Sequence, residues 1–272
     1  MMISRRTSLT FLGLLAGATA LPIRAAERRI ERAGVQLYTL REAMAKDAAA
    51  TLASVAAAGY SEVELAGTGN LSADQFARAL RNTGLTAPAA HVPYDLIKDQ
   101  PDELLAMSQT IGCKYLVLPW LAPELRNHKG YAAAIDLLNQ FGDQSHKSGV
   151  QLCYHNHDFE FQHIDGEVVF DRLLRECDRE RVKFELDLYW VTHAGADGAA
   201  YLRADPQRFP LCHVKDRNPA GEMVDVGEGV IDFSSMFAAG SGLRHYFVEH
   251  DKPADALATI ISSIQALKRI RF

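Results

Sequence analysis

The residues best suited to do chemistry lie in one short stretch, Tyr154-His155-Asn156-His157-Asp158-Phe159-Glu160. It follows Gln151-Leu152-Cys153, which reads as the start of a strand. Strand side chains alternate faces, so Cys153, His155 and His157 share one side. Three later segments end in similar groups: Glu185-Leu186-Asp187, His213-Val214-Lys215-Asp216 and Glu249-His250-Asp251. Buried unpaired, such groups are costly. A divalent cation held by His155, Asp187, His213 and Glu249 would offset that cost. Mixed nitrogen and oxygen donors suit Mn, Fe, Co, Ni or Zn better than Ca or Mg. Singly, any of these acids could instead pair with Lys215 or an arginine; as a set they point to one metal ion.

The elements that must position these residues alternate between strand and helix. Val35–Tyr38, Glu62–Leu65, Ala87–Val92, Cys113–Trp120, the stretch from 151, Val182–Trp190, Leu211–Lys215 and Tyr246–His250 read as strands. Helices are expected over 41–59, from Ser72, from Pro101, over 129–148, from Gly166 to Cys177, after Asp197, over 232–239 and from Pro253. Eight such units imply a parallel sheet with helices outside, closed as a single (β/α)8 TIM barrel. The 272 residues suffice, since such a barrel typically needs about 250. No Gly-x-Gly-x-x-Gly or Walker loop follows the first strand, which disfavours an open dinucleotide-binding sheet. The inward positions near the strand ends are Gln36, Tyr38, Glu62, Glu64, His91, Trp120, His155, His157, Glu185, Asp187, His213, Lys215 and Glu249.

Composition narrows the functional classes. Apolar residues make up 48%, which supports a large core, and the formal charge is −5. That balance argues against a nucleic-acid binder relying on a basic surface. Ser4-Arg5-Arg6-Thr7-Ser8-Leu9, the apolar run to Leu21 and the small residues after it have the pattern of a twin-arginine export signal. Residues 1–26 are therefore read as a signal peptide and 27–272 as the barrel domain. Cleavage would remove Arg5, Arg6 and Arg24 and no acid, taking the charge to −8. The run is short for a membrane span, so a periplasmic protein without stable membrane insertion is expected. Cys113, Cys153, Cys177 and Cys212 show no Cys-x-x-Cys spacing. Cys153 faces inward and Cys212 points away from His213's side, so no disulfide between them is expected.

Gly34-Val35-Gln36-Leu37-Tyr38, Tyr154-His155-Asn156-His157, Glu185-Leu186-Asp187, His213-Val214-Lys215-Asp216 and Val248-Glu249 resemble the sugar phosphate isomerase/epimerase superfamily. This is the xylose isomerase-like barrel, to which inosose dehydratases and endonuclease IV also belong. The resemblance spans nearly the whole mature chain. It implies one metal ion on Asp187, His213 and Glu249, with a Glu at the end of strand five as the remaining ligand. Here that position is His155, and Glu160 lies five residues on. Two-carboxylate epimerisation therefore loses one of its groups, unless His157 or Glu160 substitutes. One-sided proton removal, as in isomerisation or β-elimination, is easier to support.

The chemistry expected is α-proton abstraction from a keto-sugar through a metal-stabilised enediolate. His157 or Glu249 would act as base and Lys215 would stabilise oxyanion charge. Glu185, Glu160 and Asp216 would orient these groups from behind. Gln36, Tyr38, His91, Trp120 and Trp190 would contact the carbohydrate, with Glu228 entering from loop 217–231. Two other readings stand beside the isomerase/epimerase: a lyase or dehydratase acting on a 3-keto sugar or glycoside, and a non-catalytic periplasmic sugar-binding protein. The expected partner is a small carbohydrate, with no nucleic acid; a homodimer or homotetramer is possible.

Overall fold

The computed structural model describes residues 27–272. The candidate export signal, residues 1–26, lies outside the described residues. Eight parallel strands close into a barrel. They are β1 (Gly34–Gln36), β2 (Glu62–Leu65), β3 (Thr86–His91), β4 (Tyr115–Leu118), β5 (Gln151–His155), β6 (Val182–Asp187), β7 (Leu211–Val214) and β8 (His245–Val248). Each pairs with its sequence neighbours, and β1 closes onto β8 through Gly34 opposite Phe247 and Val35 opposite Val248.

Ten α-helices occur among the described residues. Those that matter for the site are α3 (Tyr94–Asp99), α4 (Pro101–Ile111), α5 (His128–Lys147), α6 (Val169–Glu176) and α7 (Leu188–His193). No helix among them is long and apolar enough to cross a membrane. The helix starts follow local chemistry. Asn127 caps α5 by accepting from the backbone N–H of Lys129 and Gly130. Pro101 opens α4, where its missing N–H costs nothing.

The strands alternate faces as the sequence pattern requires. Val63, Leu116, Leu118, Phe184, Leu186 and Val214 point out into the main core. Ala89, Tyr115, Val117, Cys153, Leu211 and Phe247 form a separate apolar layer inside the barrel. Gly34 is needed there, because a Cβ at that position would overlap the Phe247 ring. Near the strand starts, Glu62 is tied to His245 at 2.7 Å and Arg32 at 2.9 Å. Toward the strand ends, the ionisable layer begins.

Several strands end short of the sequence reading, β1 at Gln36 rather than Tyr38, β4 at Leu118 rather than Trp120 and β8 at Val248 rather than His250, and four further departures have a local origin. β6 stops at Asp187 rather than Trp190, because the Asp187 carboxylate accepts the Trp190 N–H and starts α7. Gly166, expected to open a helix, instead turns a short ribbon of His163–Ile164 and Glu167–Val168, and α6 begins at Val169. The last helix begins at Ala256, capped by Asp255, rather than at Pro253. Helix α3, directly after Pro93, is an addition. All four cysteines are buried and free.

Candidate metal centre and active site

The strand ends bring His155, Asp187, His213 and Glu249 together, with one donor atom from each lying within 4.8 Å of the others. The orientation of each ring is fixed from outside this group. His155 Nδ1 lies 3.1 Å from the Pro119 carbonyl oxygen. A carbonyl can only accept, so Nδ1 carries the hydrogen. Burial, with His213 nearby, lowers the His155 pKa and keeps the ring neutral. Its Nε2 lone pair then faces Asp187 Oδ2 at 3.2 Å, an acceptor facing an acceptor.

His213 shows the same demand. Its Nε2 donates to Glu64 Oε2 at 2.7 Å. Its Nδ1 is 2.8 Å from Glu249 Oε2 and 3.5 Å from Asp187 Oδ2. The close approach to Glu249 is out of line for a hydrogen bond, and Nδ1 has no hydrogen-bond partner among the described residues. A cation at Nδ1, either a proton or a metal ion, meets that demand. Burial opposes charge on His213, but Glu185 and Glu249 outweigh it and raise its pKa well above the usual value. These four residues could hold a metal ion, and their donor set fits a borderline transition metal.

Lys215 completes the cluster. Its ammonium lies 2.7 Å from Glu249, 2.9 Å from Asp251 and 3.0 Å from Asp187. Burial disfavours both carboxylates at Asp187 and Glu249, yet the Lys215 charge beside them holds both pKa values well below the ordinary range. His157 sits against this group, edge-on to His155 with ring centres 5.0 Å apart. Burial, then the neighbouring His155 and Lys215, hold its pKa well below 6.5, so it is a neutral imidazole near pH 7.

A second cluster lies beside the first and shares His213. Glu64, His91 and Glu185 surround its Nε2. Glu185 Oε2 is 3.0 Å from His91 Nε2 and 3.2 Å from His213 Nε2. Gln36 donates to Glu64 Oε2 at 2.8 Å and accepts the Tyr38 N–H at 3.0 Å. Burial and the adjacent Glu185 raise the Glu64 pKa.

A cavity of about 670 Å³ opens over the first cluster. Tyr38, His91, Trp120, His155, His157, Lys215 and Glu249 line it. Five other residues singled out in the sequence lie elsewhere. Gln36 is fully buried under Glu64. Trp190 sits behind the cavity wall, 5.4 Å from the His157 ring and 5.8 Å from Lys215 Nζ. Glu160 is buried, accepting from Tyr154 Oη at 2.5 Å and the His157 N–H at 2.8 Å. Burial pushes its pKa up to about 7. The Asp216 carboxylate accepts the N–H groups of Gly227, Gly229 and Ile231, and so fixes the 225–231 loop instead of touching Lys215 or His213. Glu228 is exposed on that loop, away from the cavity.

The sequence reading names Glu64, Asp251 and Asn156 in passing and gives none of them a role. Asn156 Oδ1 accepts the Asp187 N–H at 3.0 Å and sets the end of β6. Its place between two histidines is the one signal that could have found it.

Residues 52–239 match the xylose isomerase-like TIM barrel family. The chain belongs to that family. Among solved structures, it is similar to a sugar phosphate isomerase/epimerase from Parabacteroides distasonis, with 25% identity and a TM-score of 0.76 over 86% of this chain and 96% of that one. Two more distant structures share the fold. The IolI protein with a bound zinc atom has 16% identity and a TM-score of 0.66, over 86% of this chain and 96% of that one. The probable 3-DHS dehydratase AsbF from Bacillus anthracis has 12% identity and a TM-score of 0.65, over 87% and 98%. No curated protein is significantly similar to the chain in sequence.

Proposed function

We propose that the protein is a metal-dependent sugar isomerase/epimerase that removes the proton beside the carbonyl of a keto-sugar. The observation that carries this reading is the convergence of His155 Nε2 and His213 Nδ1 on the carboxylates of Asp187 and Glu249, with the other nitrogen of each ring turned to Pro119 and Glu64. The similarity to a sugar phosphate isomerase/epimerase supports it, and the zinc-bearing relative is consistent with a transition metal. A cation on His155, Asp187, His213 and Glu249 would polarise the carbonyl oxygen as a Lewis acid.

The chain's own groups do the rest. Lys215 places its ammonium where negative oxygen charge would develop. His157, neutral and lining the cavity, accepts the α-proton at its imidazole nitrogen. Glu64 orients His213 by accepting from Nε2. Tyr38 and Trp120 offer flat faces to the sugar.

One observation favours a lyase or dehydratase as the second reading. His155 stands where a second carboxylate would serve epimerisation. Glu249, held by Lys215 and His213, is a weak base. Proton removal is then supported from one side only, as in loss of a β-leaving group, and AsbF offers a dehydratase on the same fold. Incubation with keto-sugars and 3-keto glycosides in D₂O tests both readings. Deuterium uptake with unchanged skeleton mass gives the isomerase/epimerase, and loss of a leaving group gives the lyase. Neither uptake nor loss of a leaving group from any keto-sugar or 3-keto glycoside, with metal supplied, removes both in favour of a binding protein.

The Arg5-Arg6 pattern supports a periplasmic location. Replacing both arginines by lysine is expected to retain the protein in the cytoplasmic fraction.

A further inference from the structure

The cavity is larger and more apolar than a free sugar needs, and its two sides differ in kind. A hexose has about a dozen non-hydrogen atoms and displaces roughly six waters, about 180 Å³ at ~30 Å³ per water. The cavity holds about 670 Å³. Its chemistry sits on one side, at His155, His157, Lys215, Glu249 and Asp251. From Leu65 to Trp120 in chain order, the only ionisable side chain lining it, among the described residues, is His91. That side is built from Leu65, Val92, Leu96, Leu104 and Met107, brought in by the ends of β2 and β3 and by helices α3 and α4. Hydroxyl groups set against it would lose their water without gaining partners.

The rim adds two aromatic rings. Tyr38 is 43% exposed and Trp120 44% exposed, although both line the cavity. Each has a guanidinium near its ring, Arg41 at 4.4 Å and Arg126 at 4.9 Å. These arginines are already engaged, Arg41 with the Tyr38 carbonyl at 2.9 Å and Arg126 with the Leu121 carbonyl at 2.8 Å. Arg41 and Lys252 also line the cavity, from the segments that follow β1 and β8 rather than from the Leu65–Met107 wall. Aromatic faces beside an aliphatic wall suit a flat ring, which gains from offset or edge contacts.

We infer that the substrate is a sugar carrying an aryl group, with the sugar at the ionisable side and the aryl group against the Leu65–Met107 wall. This rests on the keto-sugar reading of the site. It narrows the substrate class to aryl glycosides rather than free monosaccharides.

Binding and turnover test it separately. Phenyl β-D-glucoside and methyl β-D-glucoside carry no ketone, so calorimetric titration of the full chain reads the wall without the reaction. The phenyl compound is expected to bind at least about tenfold tighter. Leu96→Gln and Met107→Gln, two half-buried positions, are each expected to shrink that gap about tenfold while circular dichroism melts report the fold. Equal affinity for the two glucosides overturns the inference. So does a gap that both folded variants leave unchanged. Deuterium uptake from 3-keto-glucose and its phenyl glycoside then separates the two claims. Tighter phenyl binding with neither uptake nor loss of a leaving group from either compound keeps the aryl assignment and removes the enolisation. Uptake from both with equal kcat/KM keeps the enolisation and removes the aryl assignment.

Discussion

The two clusters that share His213 have the same composition, two imidazoles and two carboxylates, and opposite surroundings. Around Glu64, His91 and Glu185, donors meet acceptors. Gln36 gives a hydrogen to Glu64, His213 Nε2 gives another, and His91 pairs with Glu185. Around His155, Asp187 and Glu249, the hydrogens of His155 Nδ1 and His213 Nε2 point away, to Pro119 and Glu64, so the other nitrogen of each ring turns to carboxylates that Lys215 also contacts. The first cluster holds His213 from behind, and the second offers two ring nitrogens and two carboxylates to a cation beside Lys215. Ligand types alone do not separate them; the second bond of each histidine does.

The sharpest break of this comparison is His213→Ala, which empties the position common to both. Exchange of the α-proton of a keto-sugar is expected to slow by about 10³-fold or more. A fall below tenfold would mean that neither cluster carries the reaction.

Glu160 supplies the next contrast, a buried acid whose burial outweighs the groups that favour its charge. Its carboxyl is pushed from 4.5 up to about 7 by burial. Between those values the folded chain keeps a proton that the unfolded chain has lost, so the contribution to stability is fully present below pH 4.5. It is lost as pH rises through about 7, by roughly 3 kcal/mol. Melting temperatures of wild type and Glu160→Gln should therefore differ in slope across pH 5–7. Parallel profiles would remove the assignment.

Within the supporting cluster, Glu64→Gln should weaken metal affinity by about 10–100-fold, the range for a residue that orients a ligand. Competition with a chelator measures it, and complete loss would promote Glu64 to a ligand. The smallest effect belongs to Gln36→Leu, which strands the Tyr38 N–H and removes a donor from Glu64. A loss of about 1–2 kcal/mol in denaturant unfolding is expected.

Much of this arrangement is legible in the sequence because strand parity is rigid. Once β5 to β8 are recognised, His155, Asp187, His213 and Glu249 must face one interior. What parity cannot say is which atoms meet. Gln36 faces inward as expected, yet it serves Glu64 instead of the cavity. Leu188-Tyr189-Trp190-Val191 is as apolar as a strand, and only the Asp187 cap on Trp190 turns it into a helix. Glu228 looks like a loop acid near the site, but Asp216 binds that loop elsewhere. Leu96 and Met107 read as ordinary helix faces, and their place on the cavity wall comes from how α3 and α4 pack.

Elemental analysis of the isolated full chain, beside His155→Ala and His91→Ala, tests the central claim most directly. About one transition metal ion per chain is expected in wild type, retained in large part by His91→Ala and lost from His155→Ala. A wild-type chain that holds no metal after exposure to Mn, Co or Zn would contradict it, as would equal metal content in the two variants.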